Sequence, residues 1–233
     1  MIITKTPFRM SFFGGGTDME DYFKENGGAV LSTTFDKYCY VNVRHLPRFF
    51  DYSSELTYSK MERVKDTDDI KHPAIREAMK FLDMQEIRLT YEADLPARSG
   101  LGTSSSFAVG MLNAFYALKG KYADKKKLAN EAIYLERVLC NEAGGWQDQI
   151  AASFGGFNRI NFNTDGTYDV LPVIISPERK QHLNNNLMMF FTGFTRFSSE
   201  VQKANNVSGS EEKRVRLKKM YELVDEAEGV LTN

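Results

Sequence analysis

The stretch that most constrains this chain runs from Pro96 to Ser106, Pro96-Ala97-Arg98-Ser99-Gly100-Leu101-Gly102-Thr103-Ser104-Ser105-Ser106. Two glycines and four consecutive hydroxyl residues lead into an apolar run with Phe107, Ala108, Met111, Leu112, Phe115 and Leu118 on one helical face. A Gly-rich turn that opens a helix leaves backbone N–H groups unpaired where the helix dipole is positive, which suits an anion. The hydroxyls suit either a helix cap or a phosphate and its metal ion. The same pattern also describes an ordinary Ser/Thr-capped helix, so the surrounding stretches must decide.

Residues 1–13 are rich in Ile and Phe, alternate like a strand and carry Arg9. They run into Gly14-Gly15-Gly16-Thr17-Asp18, a loop where backbone can approach a ligand closely. Asp18 is either a carboxylate presented from that loop or the N-cap of a helix over Met19–Lys24. Residues 29–46 are β-rich, and 47–72 mix short strand and loop, with a solvated charge run at Lys65–Asp69. A helix follows from Pro73 to about Leu82, then a strand over 86–93.

Beyond the opening stretch, Asp124 caps a helix expected over Lys125–Cys140, with an apolar stripe at Leu128, Ala132, Leu135 and Leu139. Glu136 falls on the flank of that stripe, partly buried and in need of a partner; Glu131 and Arg137 lie further towards solvent. Gly144-Gly145-Trp146-Gln147-Asp148-Gln149 then opens another helix. Asp148 sits between two amides that could orient it, or serves as a helix cap. Residues 157–175 read as a hairpin with an Asp165-Gly166 turn. An apolar strand is expected over 187–192, and an amphipathic helix from 211 with apolar positions 217, 220, 221, 224, 227 and 231.

Composition narrows the partners. The 233 residues carry a net charge of −1, which supplies no basic field for nucleic acid. No apolar run reaches the length of a membrane span. Cys39 and Cys140 lie in apolar-patterned segments, as free thiols of a reducing cytoplasm would. His45, His72 and His182 show no metal-ligand spacing. The P-loop, the protein-kinase motifs, the third Gly of a dinucleotide fingerprint and the G-x-S-x-G elbow are all absent.

Four stretches in this order resemble the galactokinase, homoserine kinase, mevalonate kinase and phosphomevalonate kinase (GHMP) family. The family's motif P-x-x-x-G-L-x-S-S-x reads here from Pro96 to Ser105, with Thr103 at the first paired serine position. The resemblance implies an α+β fold: an ATP-binding domain over 1–180, of the kind also found in ribosomal and gyrase-type units, then the start of a ferredoxin-like domain over 181–233. It implies that Pro96, Gly100, Leu101, Gly102, Thr103, Ser104 and Ser105 hold ATP. Ser104 and Glu136 would hold Mg²⁺, with Thr103 and Ser105 as second choices. Asp148 would orient or deprotonate the acceptor hydroxyl, and Arg9 would stand near the transferred phosphate.

Within the family, Gly15-Gly16 before Thr17-Asp18 departs from the Glu-His of galactokinases and resembles the heptose kinases that act on the anomeric hydroxyl of D-glycero-D-manno-heptose 7-phosphate. Fucose-type kinases are the nearest alternative. A non-catalytic relative that binds ATP and sugar is the rival from another class. Gly15, Gly16, Thr17, Asp18 and Arg196 would bind the sugar phosphate, and Arg98 and Lys37 are further cations for its phosphate. Family members typically run further and carry a third Gly-rich motif, so reduced or absent turnover is expected of this chain alone.

Overall fold

The computed structural model describes residues 1–97, 99–190 and 211–232. Its spine is β2 (Gly28–His45), an 18-residue strand of one seven-stranded sheet. Along one edge β2 pairs antiparallel with β1 (Ile2–Phe13). Along the other edge its first half pairs with β6 (Phe157–Phe162) and its second half with β5 (Ile87–Ala93). Outward from β5 come β3 (Ser54–Thr57) and β4 (Met61–Val64), and outward from β6 comes β7 (Tyr168–Pro172). Only the β3–β5 pairing is parallel.

Helices α1 (Glu20–Asn26), α2 (Pro73–Phe81), α3 (Thr103–Leu118), α4 (Lys125–Tyr134) and α5 (Gln147–Phe154) complete the first part of the molecule. Helix α3 is buried along most of its length, with Phe107, Met111, Leu112 and Phe115 in the largest core cluster. Each such side chain contributes roughly 1.5–3 kcal/mol on leaving water. Gly110 lets α3 lie directly on β1: Thr4 Oγ1 donates to the Gly110 carbonyl at 2.9 Å, and a Cβ there would stand 2.7 Å from Thr6 Oγ1.

Strand alternation on β2 sends successive side chains to opposite faces. Val30 joins Phe23, Ile150 and Phe162 beneath α1 and α5, whereas Ala29 and Leu31 face a third cluster centred on Val224. Val224 belongs to α7 (Glu211–Thr232), which covers that face. Helix α6 (Pro177–Asn185) begins at a Ser176 cap, and the expected division near residue 180 falls within it.

The structure departs from the sequence reading in two elements and decides between the two readings of Asp18. The helix expected over Lys125–Cys140 is α up to Tyr134 and then a π turn over Leu135–Leu139, closed by the Cys140 N–H on the Leu135 carbonyl at 2.8 Å. Asp18 is not the cap of α1, whose N-cap residue Met19 makes no side-chain bond. Leu187–Phe190, expected as strand, is irregular and solvent-exposed, because the run meets no partner strand among the described residues. No helix among the described residues is long and apolar enough to cross a membrane.

Candidate active site

The site lies where β1, the Gly14–Asp18 loop and the N-termini of α3 and α5 converge. A register shift in β1 between Pro7 and Arg9 leaves Phe8 out of the ladder and resets the pairing, so that Arg9 lies opposite Thr34. Arg9 then holds three groups at once. Its Nε and Nη2 both reach Asp148 Oδ1 at 2.6 Å, its Nη1 donates to the Gly100 carbonyl at 3.0 Å, and its backbone N–H donates to the Leu101 carbonyl at 3.2 Å. Burial would lower the Arg9 pKa, but Asp148 and, more weakly, Asp18 outweigh it and raise it above its ordinary value.

Gly102 ends the loop with φ +71°, a left-handed conformation that favours glycine, and starts α3 without a side-chain cap. A Cβ there would stand 3.2 Å from Arg9 Cγ and 3.4 Å from Asp148 Oδ2. The first intrahelical bond runs from the Ser106 N–H to the Gly102 carbonyl. The N–H groups of Thr103, Ser104 and Ser105 have no acceptor among the described residues, which leaves three donors for an anion at a positive helix end. Pro96, Gly100 and Ser104 are exposed, Leu101 is half-buried, and Thr103 and Ser105 are buried.

The glycine loop is locked from within. Thr17, fully buried, donates from Oγ1 to the Gly14 and Ala29 carbonyls at 2.8 and 2.9 Å and accepts from the Ala29 N–H at 3.1 Å. Its hydroxyl is therefore committed to the loop. Asp18 is 3% exposed; Oδ1 accepts from the Gly16 N–H at 3.0 Å and Oδ2 from the Gln147 N–H at 3.2 Å. Asp18 thus ties the glycine loop to the first turn of α5, with Gly145 packed so closely on its carboxylate that no side chain fits there. Burial and the neighbouring Asp148 raise the Asp18 pKa.

Glu136 is buried more deeply than the sequence reading expected, at 3% exposed, because the π turn carries it inward. Its partners are hydroxyl and amide groups. Ser105 Oγ donates to Oε2 at 2.7 Å, Gln149 Nε2 donates to the same oxygen, and Arg137 Nη2 lies 3.9 Å from it. Burial raises the Glu136 pKa, and Arg137, Ser105 and Gln149 only partly offset it. The hydroxyl bonded to Glu136 is that of Ser105; Ser104 points to solvent one residue earlier. Arg137 is also turned inward, with bonds of 3.1–3.3 Å to the Glu142, Ala143 and Gly145 carbonyls that shape the loop before α5.

These groups fit a hard divalent cation. Among the described residues both hydrogen bonds to the Glu136 carboxylate fall on Oε2, Oε1 accepts none, and the buried Gln149 Oε1 has no partner. Carboxylate, hydroxyl and amide oxygens are ligands that Mg²⁺ takes, together with water. Among the described residues no cluster of three His, Cys, Asp or Glu side chains offers an all-protein cage. Of the remaining cations expected at the substrate, Lys37 is half-exposed 4.0 Å from Asp36, whereas Arg98 and Arg196 lie outside the described residues. Sequence reasoning missed Gln149: it placed the amide beside Asp148, and the structure turns it to Glu136.

An uncapped helix end facing a carboxylate held by an arginine places an anion cradle beside a hydrogen-bond acceptor. Residues 70–156 match the family model described as GHMP kinases N terminal domain. The chain is 29% identical over 211 residues to a D-glycero-alpha-D-manno-heptose 7-phosphate kinase of Campylobacter jejuni, covering 86% of this chain and 62% of that one. It is 24% identical over 217 residues to a bifunctional fucokinase/GDP-fucose pyrophosphorylase of Arabidopsis thaliana, covering 84% of this chain and 20% of the relative. The crystal structure of a D-glycero-D-manno-heptose 1-phosphate kinase from Bacteriodes thetaiotaomicron superposes with a TM-score of 0.70 at 25% identity, over 78% of this chain and 63% of that one. The chain thus spans less than two thirds of the length of these relatives.

Proposed function

We propose that this site transfers the γ-phosphoryl group of ATP to a hydroxyl of a sugar phosphate. The acceptor we assign is the anomeric hydroxyl of D-glycero-D-manno-heptose 7-phosphate, with the 1,7-bisphosphate as product. The observation that carries the reading is the Asp148 carboxylate. Arg9 occupies Oδ1 twice, while Oδ2 remains free beside Gly102, at the mouth of the uncapped α3 end. A base and an anion cradle therefore stand side by side, as phosphoryl transfer requires.

In this reading the N–H groups of Thr103, Ser104 and Ser105 hold the phosphates, with Pro96 to Gly102 forming the turn beneath them. Glu136 Oε1 and the exposed Ser104 hydroxyl would hold Mg²⁺, with Ser105 pinning Glu136 Oε2, and the ion would neutralise phosphate charge. The acceptor oxygen forms its bond to the γ-phosphorus as the bond to ADP breaks, and its proton passes to Asp148 Oδ2. Arg9 fixes the Asp148 carboxylate through Oδ1. Gly15 and Gly16 face the sugar, Thr17 and Asp18 fix the loop that carries them, and Arg196, outside the described residues, is the cation assigned to the distal phosphate. Residues 1–180 supply the nucleotide-binding domain, and 181–233 belong to a second, ferredoxin-like domain. The setting is cytoplasmic.

The similarity to the heptose kinases supports the sugar assignment, and the lower similarity to a fucokinase supplies the alternative acceptor. A panel of heptose 7-phosphate, heptose, fucose and mannose with ATP tests both, with Asp148→Ala as control. Phosphate transfer to the heptose 7-phosphate that is lost in Asp148→Ala is expected. Transfer to fucose alone would replace the acceptor. Binding of ATP and sugar without any transfer would contradict the enzyme reading in favour of a ligand-binding relative.

A further inference from the structure

Gln149 follows Asp148 on α5 and is fully buried, at 0% exposed. Successive helical residues point about 100° apart, so the two side chains serve different groups. Asp148 meets Arg9, and Gln149 reaches Glu136. The amide presents its NH₂ to the Glu136 carboxylate, the orientation that an ionised acceptor requires. That choice leaves Gln149 Oε1 buried without a partner. An unmet buried polar atom costs about 1–3 kcal/mol, which an apolar side chain of the same length would avoid.

The cost has a visible consequence at Glu136. Ser105 and Gln149 both donate to Oε2, so that oxygen is tied down and the carboxylate cannot rotate freely. Oε1 is left without a hydrogen bond. Two oxygens with unmet capacity, Glu136 Oε1 and Gln149 Oε1, therefore belong to one bonded pair of side chains. Both are hard donors, suited to a divalent cation and its water.

We propose that Gln149 is a positioning residue for the cation: it pins Glu136 Oε2 so that Oε1 is presented to a divalent metal ion, and its own carbonyl oxygen accepts a hydrogen bond from a water on that ion. The inference rests on the phosphotransfer reading above. It makes α5 the element that sets both the acceptor-facing carboxylate and, one residue on, the metal-facing one.

The test is direct binding rather than turnover. Mn²⁺ is titrated by electron paramagnetic resonance into the full chain with a non-hydrolysable ATP analogue, and analogue affinity is measured separately without metal. Gln149→Met keeps the length and burial of the side chain but removes the donor. It is expected to weaken Mn²⁺ binding about 10-fold or more, the usual cost of losing an outer-sphere partner, while metal-free analogue affinity stays as in wild type. A purely structural role would move both affinities together. Equal Mn²⁺ binding by Gln149→Met and wild type overturns the inference and leaves the phosphotransfer reading intact. Wild type that binds neither the analogue nor Mn²⁺ overturns both. Should Gln149→Met fail to fold by circular dichroism, Ser105→Ala removes the other bond to Oε2; weaker Mn²⁺ binding supports the inference, and unchanged binding overturns it.

Discussion

Arg9 and Asp148 stand 139 positions apart in the chain and meet at a single oxygen, with Nε and Nη2 of the arginine both 2.6 Å from Oδ1. The fork of a guanidinium permits this, and a third nitrogen reaches the Gly100 carbonyl. A lysine has one ammonium and cannot serve all three bonds. Arg9→Lys is expected to lower kcat by about 10²-fold, with nucleotide affinity less affected. Arg9→Met, which leaves a largely buried carboxylate without its cation, is expected to cost about 3 kcal/mol in urea denaturation. Wild-type kcat in Arg9→Lys would show that the shared oxygen is not what matters.

Gly102 touches both members of that pair through the space where a Cβ would stand. Gly102→Ala is expected to lose about 1–2 kcal/mol from the left-handed backbone alone. It should also lose most phosphate transfer, because the methyl presses on Arg9 and Asp148. Gly120→Ala provides the comparison: φ is +66° there, and nothing lies within 4 Å. The two variants should lose similar stability by denaturant titration, with transfer impaired only in Gly102→Ala.

Helix α7 braces the glycine loop from behind. A Cβ on Gly16 would stand 3.1 Å from Leu217, and one on Gly14 would stand 2.8 Å from Val224. Arg159 on β6 holds α7 through Asp225 at 2.6 Å and Glu228 at 2.7 Å. Arg159→Met is expected to cost about 1 kcal/mol, as partly exposed pairs do, and to raise KM for the sugar while KM for ATP stays unchanged. Steady-state kinetics with each substrate varied in turn would check the split.

His72 sets a pH dependence of stability. Burial lowers its pKa below the ordinary 6.5, only partly offset by Glu62, and its Nδ1 has no partner. Below pH 6.5 the unfolded chain takes up a proton that the folded one refuses, so stability falls as pH falls towards the folded pKa. The slope for one proton is at most about 1.4 kcal/mol per pH unit. Glu62, whose pKa is lowered because bonds from Tyr58 and the Lys71 and His72 N–H groups outweigh burial, adds a loss of the same sign at lower pH, as pH falls through its folded pKa. His72→Phe keeps the ring contacts with Tyr58 and Phe107. Its Tm should fall less steeply than that of wild type between pH 6.5 and 5.

Much of this architecture was legible because its elements carry strong local periods. The apolar spacing after Ser106 gave α3, and Asp165-Gly166 gave the β6–β7 turn. What escaped depends on small angular offsets. A helix that starts at Thr103 turns Ser105 rather than Ser104 towards Glu136, because one residue is 100° of rotation. The π turn at Leu135 inserts a residue that periodicity cannot register, and it buries Glu136 and draws Arg137 inward. Asp18 reads locally as either a loop carboxylate or a cap; its bond to the Gln147 N–H spans the chain, and no local pattern encodes such a contact.

The most direct test of the central claim is a single-turnover experiment with protein in excess over γ-labelled ATP, Mg²⁺ and D-glycero-D-manno-heptose 7-phosphate. Excess protein makes even slow transfer visible. Label is expected in the sugar 1,7-bisphosphate for wild type and absent from it for Asp148→Asn, with both proteins binding ATP alike. Label transfer of equal rate in Asp148→Asn would contradict the assignment of Asp148 as the group facing the acceptor hydroxyl.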